Sequence, residues 1–102
     1  MTRSKLFILP TAAAAVCLAG SAMAYSGEDL AKNAKVSMDQ AIVIALKARP
    51  GTITDKELER EGGGSGLRYS FDVKASGRTY EVGVDAMTGK VLENGAEGAN
   101  PD

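Results

Sequence analysis

Between Val36 and Gly51 the apolar residues Met38, Ala41, Ile42, Ala45, Leu46 and Ala48 recur at three- and four-residue spacing. That period gathers them into one broad stripe of an α-helix. Ser37 precedes the stripe as an N-cap, and Gln40 stands where a capping-box partner belongs. Asp39 lies at the positive end of the helix dipole, with Lys47 and Arg49 at its negative end. Pro50 lacks an amide donor and pushes Arg49 out of helical geometry, and Gly51 frees the turn that follows. The pattern predicts a helix from Met38 to Ala48.

Further along, alternation replaces the helical period. Leu67, Tyr69, Phe71 and Val73 point one way, Arg68, Ser70 and Asp72 the other. Tyr80, Val82, Val84 and Ala86 likewise alternate with Glu81, Gly83 and Asp85. A hairpin tip at Ser76-Gly77 pairs Val73 with Tyr80, Phe71 with Val82, Tyr69 with Val84 and Leu67 with Ala86, so the apolar side chains share one face. The same register sets Arg68 opposite Asp85, a favourable pair, and Asp72 opposite Glu81, an unfavourable one.

The flanking signals are weaker. In Thr52 to Glu61 only Ile53 and Leu58 are large and apolar, so this reads as a strand of low apolar content. Gly62 to Gly66 reads as a flexible link, Lys90 to Glu93 as a short fourth strand, and residues 95–102 as a disordered tail. Residues 25–36 are polar and of mixed charge, with room for a helical turn or two. The expected class is α+β: one amphipathic helix packed on a four-stranded antiparallel meander, with the ordered domain over residues 37–94.

At the N-terminus, Arg3 and Lys5 precede the apolar run Leu6 to Leu18, and Ala22 and Ala24 supply a small-x-small cleavage site. Residues 1–24 read as a signal peptide; the run is shorter than the roughly 20 residues a spanning helix needs. The expected location is periplasmic or secreted, with no stable membrane span after cleavage. Cys17, the only cysteine, leaves with the signal, so no internal disulfide is expected. Ten basic residues then face thirteen acidic ones, a balance that gives no footprint for nucleic acid.

Candidate chemistry is sparse. The chain has no His or Trp and no Cys after cleavage, which excludes Ser-His-Asp and Cys-His catalysis and histidine-containing zinc sites. No enzyme activity and no cofactor are expected. Asp85 to Gly89 reads as a corner rather than an ion loop: Asp85 can accept from the backbone two residues on, and Gly89 can close the turn in the left-handed conformation. The glycine run is followed by a strand, whereas a phosphate cradle requires a helix there. Asp55, Glu57, Glu59 and Glu61 share one parity and form an acidic row if the segment is extended. Such a row serves as a solvated strand edge, a surface for a basic partner, or a weak divalent-cation site.

The stretches VSMDQAIVIALKARPGTITDKELE, GLRYSFDV and YEVGVDAMTGKVLE resemble a PepSY domain. Ser37, Pro50, Gly51, Tyr69, Glu81, Asp85 and Gly89 carry the likeness, which covers residues 30–94. PepSY domains occur in propeptides of thermolysin-like metalloproteases and in many exported bacterial proteins, and are proposed to inhibit or regulate peptidases. The resemblance implies a non-enzymatic module whose partner is a peptidase or another periplasmic protein, and it carries no catalytic residues. The rival reading is a sensory or envelope module that binds a cation or small ligand through the acidic strand.

Overall fold

The computed structural model describes residues 24–98. Most of the expected signal segment, Ala22 included, and residues 99–102 of the expected tail lie outside the described residues. A 3-10 helix, Glu28–Asn33, comes first, then helix α1 (Met38–Ala48) and strands β1 (Thr52–Arg60), β2 (Leu67–Ala75), β3 (Arg78–Asp85) and β4 (Val91–Ala96). The strands form one antiparallel sheet in the order β1-β2-β3-β4. This is the expected α+β meander with one packed helix.

Helix α1 begins as its sequence dictates. Ser37 Oγ accepts from the Gln40 amide, and Gln40 Oε1 accepts from the Ser37 amide at 2.9 Å, completing the capping box. At the other end the Arg49 amide donates to Ala45 O, and Asn94 Nδ2 donates to Ala48 O across from β4. Asn94 thus satisfies one of the carbonyls that a helix C-terminus leaves open. Gly51 is required for a reason that turn chemistry does not supply. Its φ is not left-handed, but a Cβ there would run into the Lys74 carbonyl and approach Val73 Cγ1 to 2.9 Å.

The β2-β3 hairpin turns at Ser76 and Gly77, both at positive φ, which suits the twist of a tight two-residue connection. Val73 faces Tyr80, Phe71 faces Val82 and Tyr69 faces Val84, and Ala86 N donates to Leu67 O. The buried core unites Met38, Ala41 and Ala45 of α1 with Leu58, Leu67, Tyr69, Phe71, Val73, Val82, Val84 and Ala86, and Ile42 packs against it. Tyr69 lies 1 % exposed, and its hydroxyl donates to Val36 O at 2.6 Å. Burial, and secondarily the Tyr25 phenol, pushes its pKa up to about 12.

Three expectations need correction. First, β4 extends through Gly95 to Ala96, so the tail does not start at residue 95; Glu81 pairs with Gly95 and Tyr80 with Ala96 along an otherwise open β3 edge. Second, the glycine run is tied down rather than loose. Glu61 N donates to Gly66 O, Gly66 N to Gly63 O, and Ser65 is held by Asp85. Third, Arg68 and Asp85 are opposite in register but form no ion pair; each bonds elsewhere.

Strand β1 carries an irregularity between Ile53 and Asp55. Ile53 and Leu58 have opposite parity, so a regular strand would leave one of them facing water. The extra residue, Thr54, lets Ile53 pair with Val73 and Leu58 with Tyr69, and both reach the core. It also fixes which way the acidic row points.

Candidate functional site

Helix α1 covers one face of the sheet over β2, β3 and β4, and the 3-10 helix covers it over β1. Asp55, Glu57 and Glu59 project from the other face, opposite in parity to buried Leu58, and the register extends their row across the neighbouring strands. Asp55 faces Asp72, which faces Glu81. One step along, Glu57 faces Ser70, Ser70 faces Gly83, and Gly83 faces Glu93. A further step brings Glu59 opposite Arg68. Together with Glu61 and Leu92 these residues, Gly83 apart, line an open concavity of about 470 Å³. Lys56 pairs with Phe71 and so points to the opposite face, away from the carboxylates.

The carboxylates disturb one another. Burial, then the charges of Glu59, Asp55, Asp72 and Glu61, raises the Glu57 pKa. Burial, then Glu93, Asp72 and Glu97, raises that of Glu81. Asp72 is raised by burial and then by Glu97 and Asp55. For Glu61 the main cause is a hydrogen bond shared with Glu59, offset by the nearby Arg68 charge. For Glu57, Asp72 and Glu81 the shared direction follows first from burial, which disfavours the charged form, and then from like charges on one face.

Arg68 is the cation in the floor of this concavity, and its side chain is only 9 % exposed. Nη1 lies 3.4 Å from Glu93 Oε1, and Nη2 donates to Gly62 O at 3.1 Å. The guanidinium rests over Gly83, where a Cβ would sit 2.9 Å from Nη1. Among the described residues, Nε is buried without a hydrogen-bond partner. Ser70, in the middle of the face, donates its hydroxyl to Glu59 Oε2 at 2.6 Å.

Asp85 plays a different part. Oδ1 accepts from the amides of Met87 at 2.8 Å and Thr88 at 3.1 Å and from Ser65 Oγ at 2.8 Å, while Oδ2 accepts from the Ser65 amide at 2.7 Å. Burial pushes the carboxyl up, but these donors prevail and hold it at about 2. Gly89, at φ 81, closes the corner by donating its amide to Asp85 O. The corner expected from the sequence is therefore present, and it also clamps the glycine loop. A side chain at Gly64 is blocked by the Asp85 carboxylate and by Leu92.

The acidic row was visible in the sequence as Asp55, Glu57, Glu59 and Glu61. The contributions of Asp72, Glu81, Glu93 and Glu97 come from sheet register. The pairing of Asp72 with Glu81 was readable from the hairpin, whereas Glu93 and Glu97 depend on how β4 lies against β3. Oxygen atoms of Asp72, Glu81 and Glu97 lie within 4.8 Å of one another.

Among the described residues no helix is long and apolar enough to cross a membrane. No curated protein and no solved structure matches the chain. The PepSY family model, described as Peptidase propeptide and YPEB domain, matches residues 35–94, a span that runs from the residues before α1 into β4. On that match the chain belongs to the PepSY family of peptidase-propeptide-like modules.

Proposed function

We propose that this domain restrains or tunes a peptidase outside the cytoplasm by docking protein surface against it, without chemistry of its own. The observation that carries the reading is the inequality of the sheet's two faces. One is covered by α1 over β2, β3 and β4 and by the 3-10 helix over β1, while the other is an open, polar concavity across all four strands. Family membership supports a peptidase as the class of partner. The groups brought together on the open face are carboxylates, one guanidinium and one hydroxyl, with carboxylates destabilised by one another, an arrangement suited to electrostatic contact.

The test is peptide cleavage by secreted metallopeptidases, followed with and without the natively processed protein. A saturable change in cleavage rate together with a complex on size-exclusion chromatography is expected. Absence of both across the enzymes tried would refute the reading. A second reading, a cation-responsive envelope module, is favoured by the convergence of Asp72, Glu81 and Glu97. It predicts a rise in melting temperature with calcium alone, which the peptidase reading does not.

A further inference from the structure

Gly95 stands inside β4 where neither backbone nor packing requires a glycine. Its φ is not left-handed, and a Cβ there would have no atom within 4 Å. A glycine weakens a strand interior, because the chain gives up more freedom there and gains no side chain to pack. What Gly95 does supply is an unhindered neighbour for Asn94. The other asparagines are Asn33, followed by Ala34, and Asn100, followed by Pro101, whose nitrogen carries no hydrogen. Only at Asn94-Gly95 does an asparagine side chain adjoin a glycine amide.

Such a pair can deamidate. Gly95 N gives its proton to hydroxide and attacks Asn94 Cγ; the new bond closes a five-membered imide, while Nδ2 takes a proton from water and leaves as ammonia. Water then adds to one imide carbonyl or the other, giving aspartate or isoaspartate at position 94. The folded domain restrains both reacting groups. Asn94 Nδ2 donates to Ala48 O at 3.2 Å and Oδ1 accepts from Arg49 Nε at 3.0 Å, with the Arg49 guanidinium 3.9 Å from the centre of the Tyr80 ring. Gly95 faces Glu81, two positions before Glu97, whose amide donates to Thr79 O. The alternation of an antiparallel ladder therefore directs the Gly95 amide to β3 as well.

We infer that Asn94 is a deamidation site gated by the edge strand: closed while β4 lies on β3 and α1, open when β4 frays, and unable to restore its bond to α1 once it has reacted. β4 is an outer strand bonded to one neighbour, so its opening costs less than unfolding the domain. Aspartate puts a carboxylate oxygen where Nδ2 donated to Ala48 O, at the negative end of the helix dipole. Isoaspartate also lengthens the main chain by a methylene, which breaks the register of β4 against Val82 and Glu81. The loss of ammonia makes the step one-way, so a transient opening at this edge becomes a lasting loss of the contact between α1 and β4.

The test incubates the natively processed protein at mildly alkaline pH, with and without urea. Isoaspartyl methyltransferase reads the product, and peptide mass spectrometry assigns its position. Deamidation at Asn94 is expected to be slower in the folded protein by about tenfold or more, because only the open fraction reacts. Gly95→Ala, which places a methyl beside the attacking nitrogen, is expected to slow the reaction several-fold in urea, where folding plays no part. Arg49→Ala is expected to speed the reaction of the folded protein and leave the rate in urea unchanged. The isoaspartyl form, separated by ion exchange, is expected to melt about 4–8 °C below the wild type. No reaction at Asn94 in urea, equal rates with and without urea, or an undiminished rate for Gly95→Ala would each overturn the inference. So would an unchanged rate for folded Arg49→Ala, or an isoaspartyl form that melts with the wild type.

Discussion

Asp85→Asn isolates the clamp between the corner and the glycine loop. The substitution keeps side-chain shape and leaves Oδ1 for the Met87 and Thr88 amides, but turns Oδ2, which accepts from Ser65 N, into a donor facing a donor. It also removes the charge from the other bonds, and a hydrogen bond to a charged group contributes about 1.5–3 kcal/mol against ~1 for a neutral one. A carboxyl held at about 2, against an ordinary 3.8, corresponds to about 2.5 kcal/mol of native-state preference for the ionised form at neutral pH. Both routes converge on a loss of ~2–3 kcal/mol. For a domain of this size the melting temperature should fall by roughly 10–20 °C. Urea and thermal unfolding at pH 7, followed by circular dichroism, measure it. A loss below about 0.5 kcal/mol would refute the reasoning, because surface substitutions away from such features usually fall within that range.

Other outcomes follow from the same structure. Stability should rise as pH falls from 7 toward 5, because Glu57, Asp72 and Glu81 have raised native pKa values and the folded state takes up protons more readily than the unfolded one. Below about pH 4 the sign reverses as Asp85, ordinary pKa 3.8 and native about 2, loses its contribution; a melting-temperature series across pH checks both limbs, and Asp85→Asn should flatten the acid one. Asp72→Asn, which removes the charge lying between Asp55 and Glu81, should stabilise the protein by a few tenths to ~1 kcal/mol in urea, with the gain shrinking in high salt. Gly51→Ala should cost about 1–3 kcal/mol by urea unfolding, since its Cβ meets the Lys74 carbonyl and Val73.

What the sequence revealed and what it hid divide along contact range. The helix was legible because its cap, stripe and stop are all local: Ser37 with Gln40, the apolar spacing, Pro50. The hairpin was legible because a two-residue tip and strict alternation admit one register that buries Phe71 and Val82 together. The Thr54 irregularity has a local sign, the opposite parity of Ile53 and Leu58 in a single short strand. The rest depends on distant partners. Nothing near Ser65 announces that Asp85, 20 residues on, will hold its amide and hydroxyl. The extension of β4 through Gly95 and Ala96 runs against local propensity and is set by the β3 edge. The acidic face is likewise a product of sheet pairing: the sequence displays one row of it, and register assembles the others around Arg68.

The central claim is that this domain works through the sheet face left open by α1. Amide NMR of the natively processed protein, titrated with a secreted metallopeptidase whose cleavage it alters, tests this claim most directly. The account predicts shift changes or line broadening concentrated at Glu57, Ser70, Asp72, Glu81 and Glu93, with the outer surface of α1 around Val43 unaffected. Perturbations centred on α1, with those five amides unmoved, would contradict it.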